Sequence, residues 1–274
     1  MNTRERFLSS TPHAGWGAAV ATATLRRDAR RDLAAAAGGL LALALAAAWA
    51  ADLGAAYVVK VLGWFAAGAA LVWHGLRAGA HPHGRLGAAN RVTLVRFSLA
   101  GLLFALLGEQ VWASAWAAAG AIKVNALAWA VVALAMLTAV LDAVDGALAR
   151  RSGLASDFGA RFDMETDAAY TLVLCALVWQ AGQAGPWVLA AGLLRYGFVA
   201  AAWRWRWLAT PLPPSRRRQT VCVVQITSLI VCLAPLVPPA LAAALAAASL
   251  ALLGFSFVID VHTLAQARQP RLEN

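Results

Sequence analysis

The sequence predicts an all-α integral membrane protein, and three observations support this fold class. Of the 274 residues, 61% are hydrophobic and 13% are charged, whereas soluble domains carry about 25% charged residues. Eight apolar runs of roughly bilayer-spanning length follow one another along the chain. The basic residues gather between these runs, as they do in membrane proteins that keep positive loops in the cytoplasm.

The eight predicted spans are rich in alanine and glycine, which allow membrane helices to approach closely. They cover about 33–51, 61–77, 92–108, 125–142, 168–183, 186–203, 221–236 and 239–260. We divide the chain into a basic tail (1–31), a two-helix membrane extension (32–80), a six-span core (81–262) and a C-terminal tail (263–274). A cleavable signal peptide is not predicted, because the first long apolar run starts only at Leu33.

The distribution of basic residues predicts the orientation. Under the eight-span scheme one side carries the clusters Arg4–Arg31, Arg77–Arg96, Arg150–Arg161, Arg204–Arg218 and Arg268–Arg271. The other side keeps Lys60 and Lys123, close to span ends. Both termini are therefore expected in the cytoplasm. The net charge of +10 is explained by these basic loops. It does not indicate nucleic-acid binding, because no platform of interleaved basic and aromatic residues is visible in the sequence.

Four aspartates form the main candidate site. Asp142 and Asp145 are three residues apart, and Asp163 and Asp167 are four apart. At these spacings side chains share one helical face, so two helices joined by a short loop would bring four carboxylates together. An unpaired Asp at the centre of a membrane helix costs roughly 2.5–3.5 kcal/mol, and divalent cations with all-oxygen ligands remove the mutual repulsion. The pattern predicts a metal site.

Small and basic residues accompany the aspartates. Gly146 and Ala149 remove side-chain bulk beside Asp142 and Asp145, which would let a ligand approach the backbone. Arg150 places a permanent cation where it could bind a phosphate. The alternative interpretation is a cytoplasmic loop whose acids and arginines pair only with each other in solvent.

These residues form the pattern Asp-x2-Asp-Gly-x2-Ala-Arg-x8-Gly-x3-Asp-x3-Asp, with Gly159 as its third-last fixed position. The pattern resembles the signature of the CDP-alcohol phosphotransferases, membrane enzymes of phospholipid synthesis, at every fixed position. The resemblance implies a six-helix catalytic membrane core, preceded here by two extra N-terminal transmembrane helices. It also implies a homodimer, two divalent ions (Mg²⁺ or Mn²⁺) per active site, and transfer of a phosphate-linked group from a CDP-alcohol to a hydroxyl with release of CMP.

The resemblance also implies roles for individual residues. Asp142, Asp145 and Asp163 would bind the metals, and Asp167 would bind or border the second metal and accept the proton of the acceptor hydroxyl. Gly146, Ala149, Arg150 and Gly159 would lie against the nucleotide and its phosphates.

Similar enzymes carry Asn-x2-Thr-x2-Arg at the start of the core, which is matched here by Asn90, Thr93 and Arg96. Spacing by three places these residues along one face of a helix. Two interpretations stay open: contact with the nucleotide, or helix capping by Asn90 with Arg96 extending towards the membrane surface.

A second basic group suggests an acceptor site. Arg195 lies inside an apolar span, where an arginine usually faces a cavity or a partner. Arg217 and Thr220 lie where similar phosphatidylglycerophosphate-forming enzymes carry Gly-Lys-x-Lys-Thr-x2-Gln, although Val223 replaces the glutamine. Arg195, Arg217 and Thr220 are the predicted acceptor-binding residues, and a phosphorylated acceptor such as glycerol 3-phosphate would suit them.

The expected function is transfer of a phosphatidyl group from CDP-diacylglycerol to a small hydroxyl acceptor, by a multi-pass protein of the plasma or inner membrane whose active site faces the cytoplasm. Two alternatives stay open: a CDP-choline or CDP-ethanolamine type of transferase with a lipid acceptor, and a cation-coupled transporter. The three cysteines, Cys175, Cys222 and Cys232, lie in apolar spans and are predicted to be buried and free of disulfides.

Overall fold

The protein, seen in a computed structural model, contains only helical secondary structure in the residues that the structure describes. These are residues 13–77, 85–109, 122–152, 156–210, 212–213 and 215–268. For residues 13–22, 77, 122–125, 149–152 and 268, the structure describes the backbone only. The α-helices of these ranges are α1 (His13–Ala50), α2 (Ala55–Arg77), α3 (Ala88–Ala105), α4 (Ile122–Ser152), α5 (Asp157–Gln180), α6 (Leu189–Arg204), α7 (Arg216–Cys232) and α8 (Pro239–Arg268). Short 3-10 helices, Pro186–Val188 and Arg206–Ala209, lie on either side of α6.

The helices confirm the predicted all-α membrane fold. Each of the eight predicted apolar runs falls mainly on one of the eight helices. Six segments of the described residues are both long and apolar enough to cross a membrane: Ala23–Ala50, Ala55–Leu76, Ala88–Ala105, Ala126–Leu148, Pro186–Arg204 and Pro239–Ala267. The other two helices are more polar or shorter, because α5 carries the second pair of aspartates and α7 has 17 residues and starts with three arginines.

Helix α1 extends well beyond the predicted first span. It is helical from His13, and Leu25 and Ala29 of its basic part are buried. Two acids on the same part bind the start of α3: the Leu86 amide donates to Asp28 Oδ2 at 3.0 Å, and Arg91 Nε donates to Asp32 Oδ2 at 2.8 Å. Part of the predicted basic tail is therefore a helix that packs on the core.

Helix α2 packs against α3 through close aromatic contacts. The rings of Trp64 and Phe97 stack with centroids 5.0 Å apart, and Trp64 Nε1 donates to the Phe97 carbonyl at 2.9 Å. Such an aromatic pair stabilises by about 0.5–1.5 kcal/mol beyond its buried area. Gly68 makes the approach achievable, since a Cβ there would overlap the Phe97 ring. The packing follows the small-residue pattern of membrane helices.

Lys60 of α2 binds the end of α3. Its Nζ donates to the Leu107 carbonyl at 2.8 Å and to Glu109 Oε1 at 2.6 Å. Carbonyl groups at a helix C-terminus lack intrahelical donors and carry partial negative charge. Lys60 therefore satisfies groups that lipid could not, and it fixes the two-helix extension to the core.

Helix α3 is the central element of the fold. Its different faces contact α1, α2, α4 and α5. Helix α7 packs on α4 and α5 from another side, and α8 packs on α7. This arrangement places the polar residues of α3 opposite the aspartates of α4 and α5, with α7 adjacent.

Candidate active site

Helices α4 and α5 bring the predicted aspartates together. Asp142 and Asp145 lie on α4, and Asp163 and Asp167 lie on α5. One carboxylate oxygen each of Asp142, Asp145 and Asp163 lies within 4.8 Å of the others. The side chain of Asp145 is 4% exposed, whereas those of the other three are 38–39% exposed. The cluster therefore has a buried floor and an accessible mouth.

Arg96 of α3 binds all four carboxylates. Its Nη1 lies 2.7 Å from Asp145 Oδ2 and 2.7 Å from Asp163 Oδ1, and its Nη2 lies 2.7 Å from Asp142 Oδ1 and also contacts Asp167 Oδ1. The Arg96 side chain is only 1% exposed. Planar guanidinium groups suit such paired carboxylate contacts. Among these five side chains one positive charge faces four negative charges, so the cluster keeps a strong attraction for further cations.

Thr93 and Asn90 lie one and two turns before Arg96. Thr93 Oγ1 donates to Asp145 Oδ2 at 3.1 Å, which adds a second contact to the most buried acid. Asn90 Nδ2 donates to the Leu86 carbonyl at 2.6 Å. Gly87, not Asn90, is the N-cap of α3, so the capping interpretation of Asn90 is wrong. Arg96 does not extend to the membrane surface either, because its guanidinium is enclosed by acids.

Gly159 allows α3 to approach the start of α5. A Cβ at Gly159 would lie 2.6 Å from Asn90 Oδ1 and 3.3 Å from Ser156 Oγ. Ser156 is the N-cap of α5, and its Oγ accepts from the Gly159 amide at 3.1 Å. The absence of a side chain at Gly159 therefore has a structural reason in helix packing.

The other motif residues lie along the same end of α4. Gly146 follows Asp145 directly and is half-buried. Ala149 and Arg150 belong to the last turns of α4, but their side chains lie outside the described part. Their predicted contacts with the nucleotide stay predictions.

Helix α7 contributes a further wall. Cys222 lies within electrostatic range of Asp142, Asp167 and Arg218. Its side chain is exposed, whereas Cys175 and Cys232 are buried. The prediction of a buried core position is therefore wrong for Cys222, because this part of α7 faces accessible space beside the acids. All three cysteines are free.

Gln225 lies one turn beyond Cys222 on α7. It is 2% exposed, and neither its amide nitrogen nor its amide oxygen has a hydrogen-bond partner in the described part of the chain. Buried amides without partners are rare and costly. The sequence signal is a glutamine in the apolar part of α7, two residues beyond Val223.

The predicted acceptor residues make no direct contact with the four aspartates among the described residues. Arg195 on α6 donates to Glu165 Oε1 at 2.5 Å. Glu165 lies two residues from both Asp163 and Asp167, so helical geometry turns it to another face of α5. Arg217 donates to Asp260 Oδ1 and Ser256 Oγ of α8, both at 2.5 Å. Thr220 is exposed on α7.

The donor set fits a divalent metal ion. Hard cations prefer carboxylate oxygens, and three such oxygens converge beside a fourth acid. Asp142, Asp145 and Asp163 would hold the ion, with Asp167 at the edge of the group. The sequence predicted this convergence, but it did not predict Arg96 as the common partner of the acids.

One of three comparisons with known proteins found a match. A sequence model described as CDP-alcohol phosphatidyltransferase matches residues 86–255, which is more than half of the chain. The match begins just before α3, leaves α1 and α2 outside, and ends within α8. Searches of curated proteins and of solved structures found no match.

Substitution of Gly159 tests the packing at the mouth of the site. Gly159→Ala would force Asn90 away, and overpacking of this kind costs about 1–3 kcal/mol. In a chain of this length, a loss of about 1 kcal/mol lowers the melting temperature by a few degrees. We therefore expect the variant to melt several degrees below wild type. The double variant Gly159→Ala/Asn90→Ala should regain most of the loss.

The matched control is Gly197→Ala on α6, where a Cβ would meet no atom within 4 Å. It should leave the melting temperature unchanged or slightly raised. Equal stability of the Gly159→Ala and Gly197→Ala variants would contradict the close approach of Asn90.

Proposed function

Because the chain belongs to the CDP-alcohol phosphatidyltransferase family, a family that transfers substituted phosphate groups, we propose that it transfers a phosphatidyl group from CDP-diacylglycerol to a hydroxyl acceptor. The observation that carries this proposal is the convergence of the four motif aspartates on one point between α3, α4 and α5. The products are a phosphodiester lipid and CMP.

The proposed cofactor is a pair of Mg²⁺ or Mn²⁺ ions. The residues that would hold them are Asp142, Asp145, Asp163 and Asp167. When bound, such ions would neutralise the pyrophosphate of the donor and stabilise the charge that develops on the leaving phosphate. The buried position of Asp145 would keep this charge stabilisation in a medium of low dielectric constant, where it is strongest.

In the proposed reaction the acceptor oxygen forms a bond to the phosphatidyl phosphorus. The bond from that phosphorus to the CMP phosphate oxygen breaks, and CMP leaves with the electron pair. The proton of the acceptor hydroxyl passes to an oxygen of Asp167. Support for this role comes from position: Asp167 stands at the edge of the cluster and its side chain is partly exposed, so an acceptor hydroxyl could reach it.

The nucleotide is proposed to lie at the mouth of the cluster, near the N-terminus of α5 and the end of α4. Gly146, Ala149 and Arg150 are the proposed contacts from α4, and Gly159 the one from α5. Asn90 and Thr93 are proposed to border it from α3. Since Asn90 already occupies the space beside Gly159, a nucleotide would meet the asparagine there and not the glycine alone.

The acceptor is proposed to enter between α5 and α7. Support comes from Gln225, a buried amide with no hydrogen-bond partner among the described residues, on the helix that packs against α4 and α5. Arg195, Arg217 and Thr220 stay the acceptor contacts predicted from the sequence, and a phosphorylated acceptor such as glycerol 3-phosphate would suit the arginines. Both arginines have acid partners within the chain, so an acceptor phosphate would have to compete with Glu165 or Asp260.

The chain is an integral membrane protein by its apolar helices and its family. We place both termini and the active site in the cytoplasm, because basic clusters gather on that side and because CDP-activated substrates are made there. A homodimer is proposed from the family resemblance.

Metal dependence is the first test of this function. Purified protein should release CMP from labelled CDP-diacylglycerol only with Mg²⁺ or Mn²⁺, and an excess of chelator should stop it. Asp163→Asn should lower the rate by roughly 100-fold, the scale seen when one electrostatic group of an active site is removed. Asp157→Asn is the matched control, because Asp157 is an exposed acid in the first turn of the same helix.

Full turnover in excess chelator would contradict the proposed mechanism. Release of CMP only from a CDP-linked small alcohol, with diacylglycerol as acceptor, would favour the CDP-choline or CDP-ethanolamine type. Cation-coupled substrate uptake into liposomes without any CMP would favour the transporter class.

The acceptor assignment is tested by a pair of variants at one ion pair. If Arg195 binds an acceptor phosphate, Arg195→Gln should raise the acceptor KM about 10-fold or more while the donor KM changes little. Glu165→Gln should leave the acceptor KM unchanged or lower it, because it removes the competing carboxylate. Equal effects of both variants on stability, with no change in either KM, would assign Arg195 to helix packing alone.

A further inference from the structure

We propose that Arg96 is a resident counter-cation of the carboxylate site, which holds the four aspartates together in the metal-free enzyme and releases Asp145 and Asp163 when a divalent cation binds. The exchange presupposes the metal binding proposed above. The proposal gives α3 a function in metal binding, although the aspartate motif itself lies on α4 and α5.

The metal-free site needs such a cation. Three carboxylate oxygens lie within 4.8 Å of one another, and the most buried acid, Asp145, is 4% exposed. Water cannot screen charges at that position, so bare aspartates would repel one another or take up protons. A guanidinium stays charged in proteins, and Arg96 supplies that charge at the point where the acids meet.

The geometry places Arg96 where a metal ion would be held. Nη1 contacts Asp145 Oδ2 and Asp163 Oδ1, each at 2.7 Å. These residues are two of the three that could hold an ion together. A guanidinium and a divalent cation are both positive, and they would compete for the same oxygens. Simultaneous close binding of both is therefore unfavourable, and binding of one weakens binding of the other.

The Arg96 side chain is suited to a reversible contact. Its Nε has no hydrogen-bond partner among the described residues, so only the two terminal nitrogens fix the guanidinium. Thr93 keeps a separate hydrogen bond to Asp145 at 3.1 Å. Asp145 would therefore keep one protein partner after Arg96 is released.

Thermal unfolding of the purified full-length protein tests the first half of the proposal. In excess chelator, Arg96→Gln should melt at least roughly 5 °C below wild type, and excess Mg²⁺ should restore most of that difference. Wild type should respond much less to the chelator. The matched control is Arg91→Gln, because Arg91 lies on the same helix and pairs with two aspartates, Asp28 and Asp32, at an exposed position. Its melting temperature should not depend on Mg²⁺ more than that of wild type.

Manganese binding tests the second half. With the competing guanidinium removed, Arg96→Gln should bind Mn²⁺ about 10-fold or more tightly than wild type, a change within the range that neighbouring residues exert on metal affinity. Electron paramagnetic resonance of free Mn²⁺ measures this without any turnover. The same Mn²⁺ affinity in both proteins would overturn the exchange while leaving the metal-dependent function standing. Absence of Mn²⁺ binding by wild type and variant alike would overturn the exchange and the proposed cofactor together.

A second variant keeps the proposal testable if Arg96→Gln folds poorly. Arg96→Gln/Asp163→Asn removes one charge of each sign, so it should be purified from chelator-containing buffer with a melting temperature above that of Arg96→Gln. If the double variant is no more stable than Arg96→Gln in chelator, charge balance is not the function of Arg96 and the proposal fails.

Discussion

The ion-pair group of Arg96 with four aspartates is the interaction on which the arrangement of α3, α4 and α5 depends. Each of the three helices contributes charge to one point. Arg96 and Asp145 are buried there, at 1% and 4% exposure, where an unpaired charge is costly. Breaking a buried pair by removing one partner costs about 3–5 kcal/mol. The helices are therefore held in register by the same residues that form the candidate site, so changes at the site alter the packing of the core as well.

Helices α1 and α2 support this site through their own contacts with α3. Trp64 and Lys60 of α2 bind the middle and the end of α3, while Asp28 and Asp32 of α1 bind its start. The region matched by the family begins at residue 86, so these contacts lie between the matched region and the two helices that precede it. Because α3 carries both Thr93 and Arg96, helices outside the matched region help to position residues that touch the acids.

The fold and the acidic cluster could be predicted from the sequence for simple physical reasons. Apolar runs of bilayer length have few alternatives to helices, and acids at spacings of three and four share a helical face. The partner of those acids could not be predicted, since helical periodicity gives the face on which Arg96 lies but not the helix that it meets. For the same reason the sequence does not predict the pairing of Arg195 with Glu165 or of Arg217 with Asp260. Cys222 and Gln225 show a second limit of prediction from the sequence. Composition places both residues in an apolar helix, but only the packing of that helix makes Cys222 exposed and Gln225 buried.

In the proposed exchange, one site alternates between an arginine and divalent cations. The most direct measurement is an experimental structure of the Mn²⁺-loaded enzyme, with the ions located by anomalous scattering. We expect manganese bound to oxygens of Asp145 and Asp163, at the roughly 2.0–2.2 Å typical of small divalent cations and carboxylate oxygens. The Arg96 guanidinium should have moved away from both aspartates. Arg96 still bound to all four aspartates, with manganese elsewhere or absent, would contradict it.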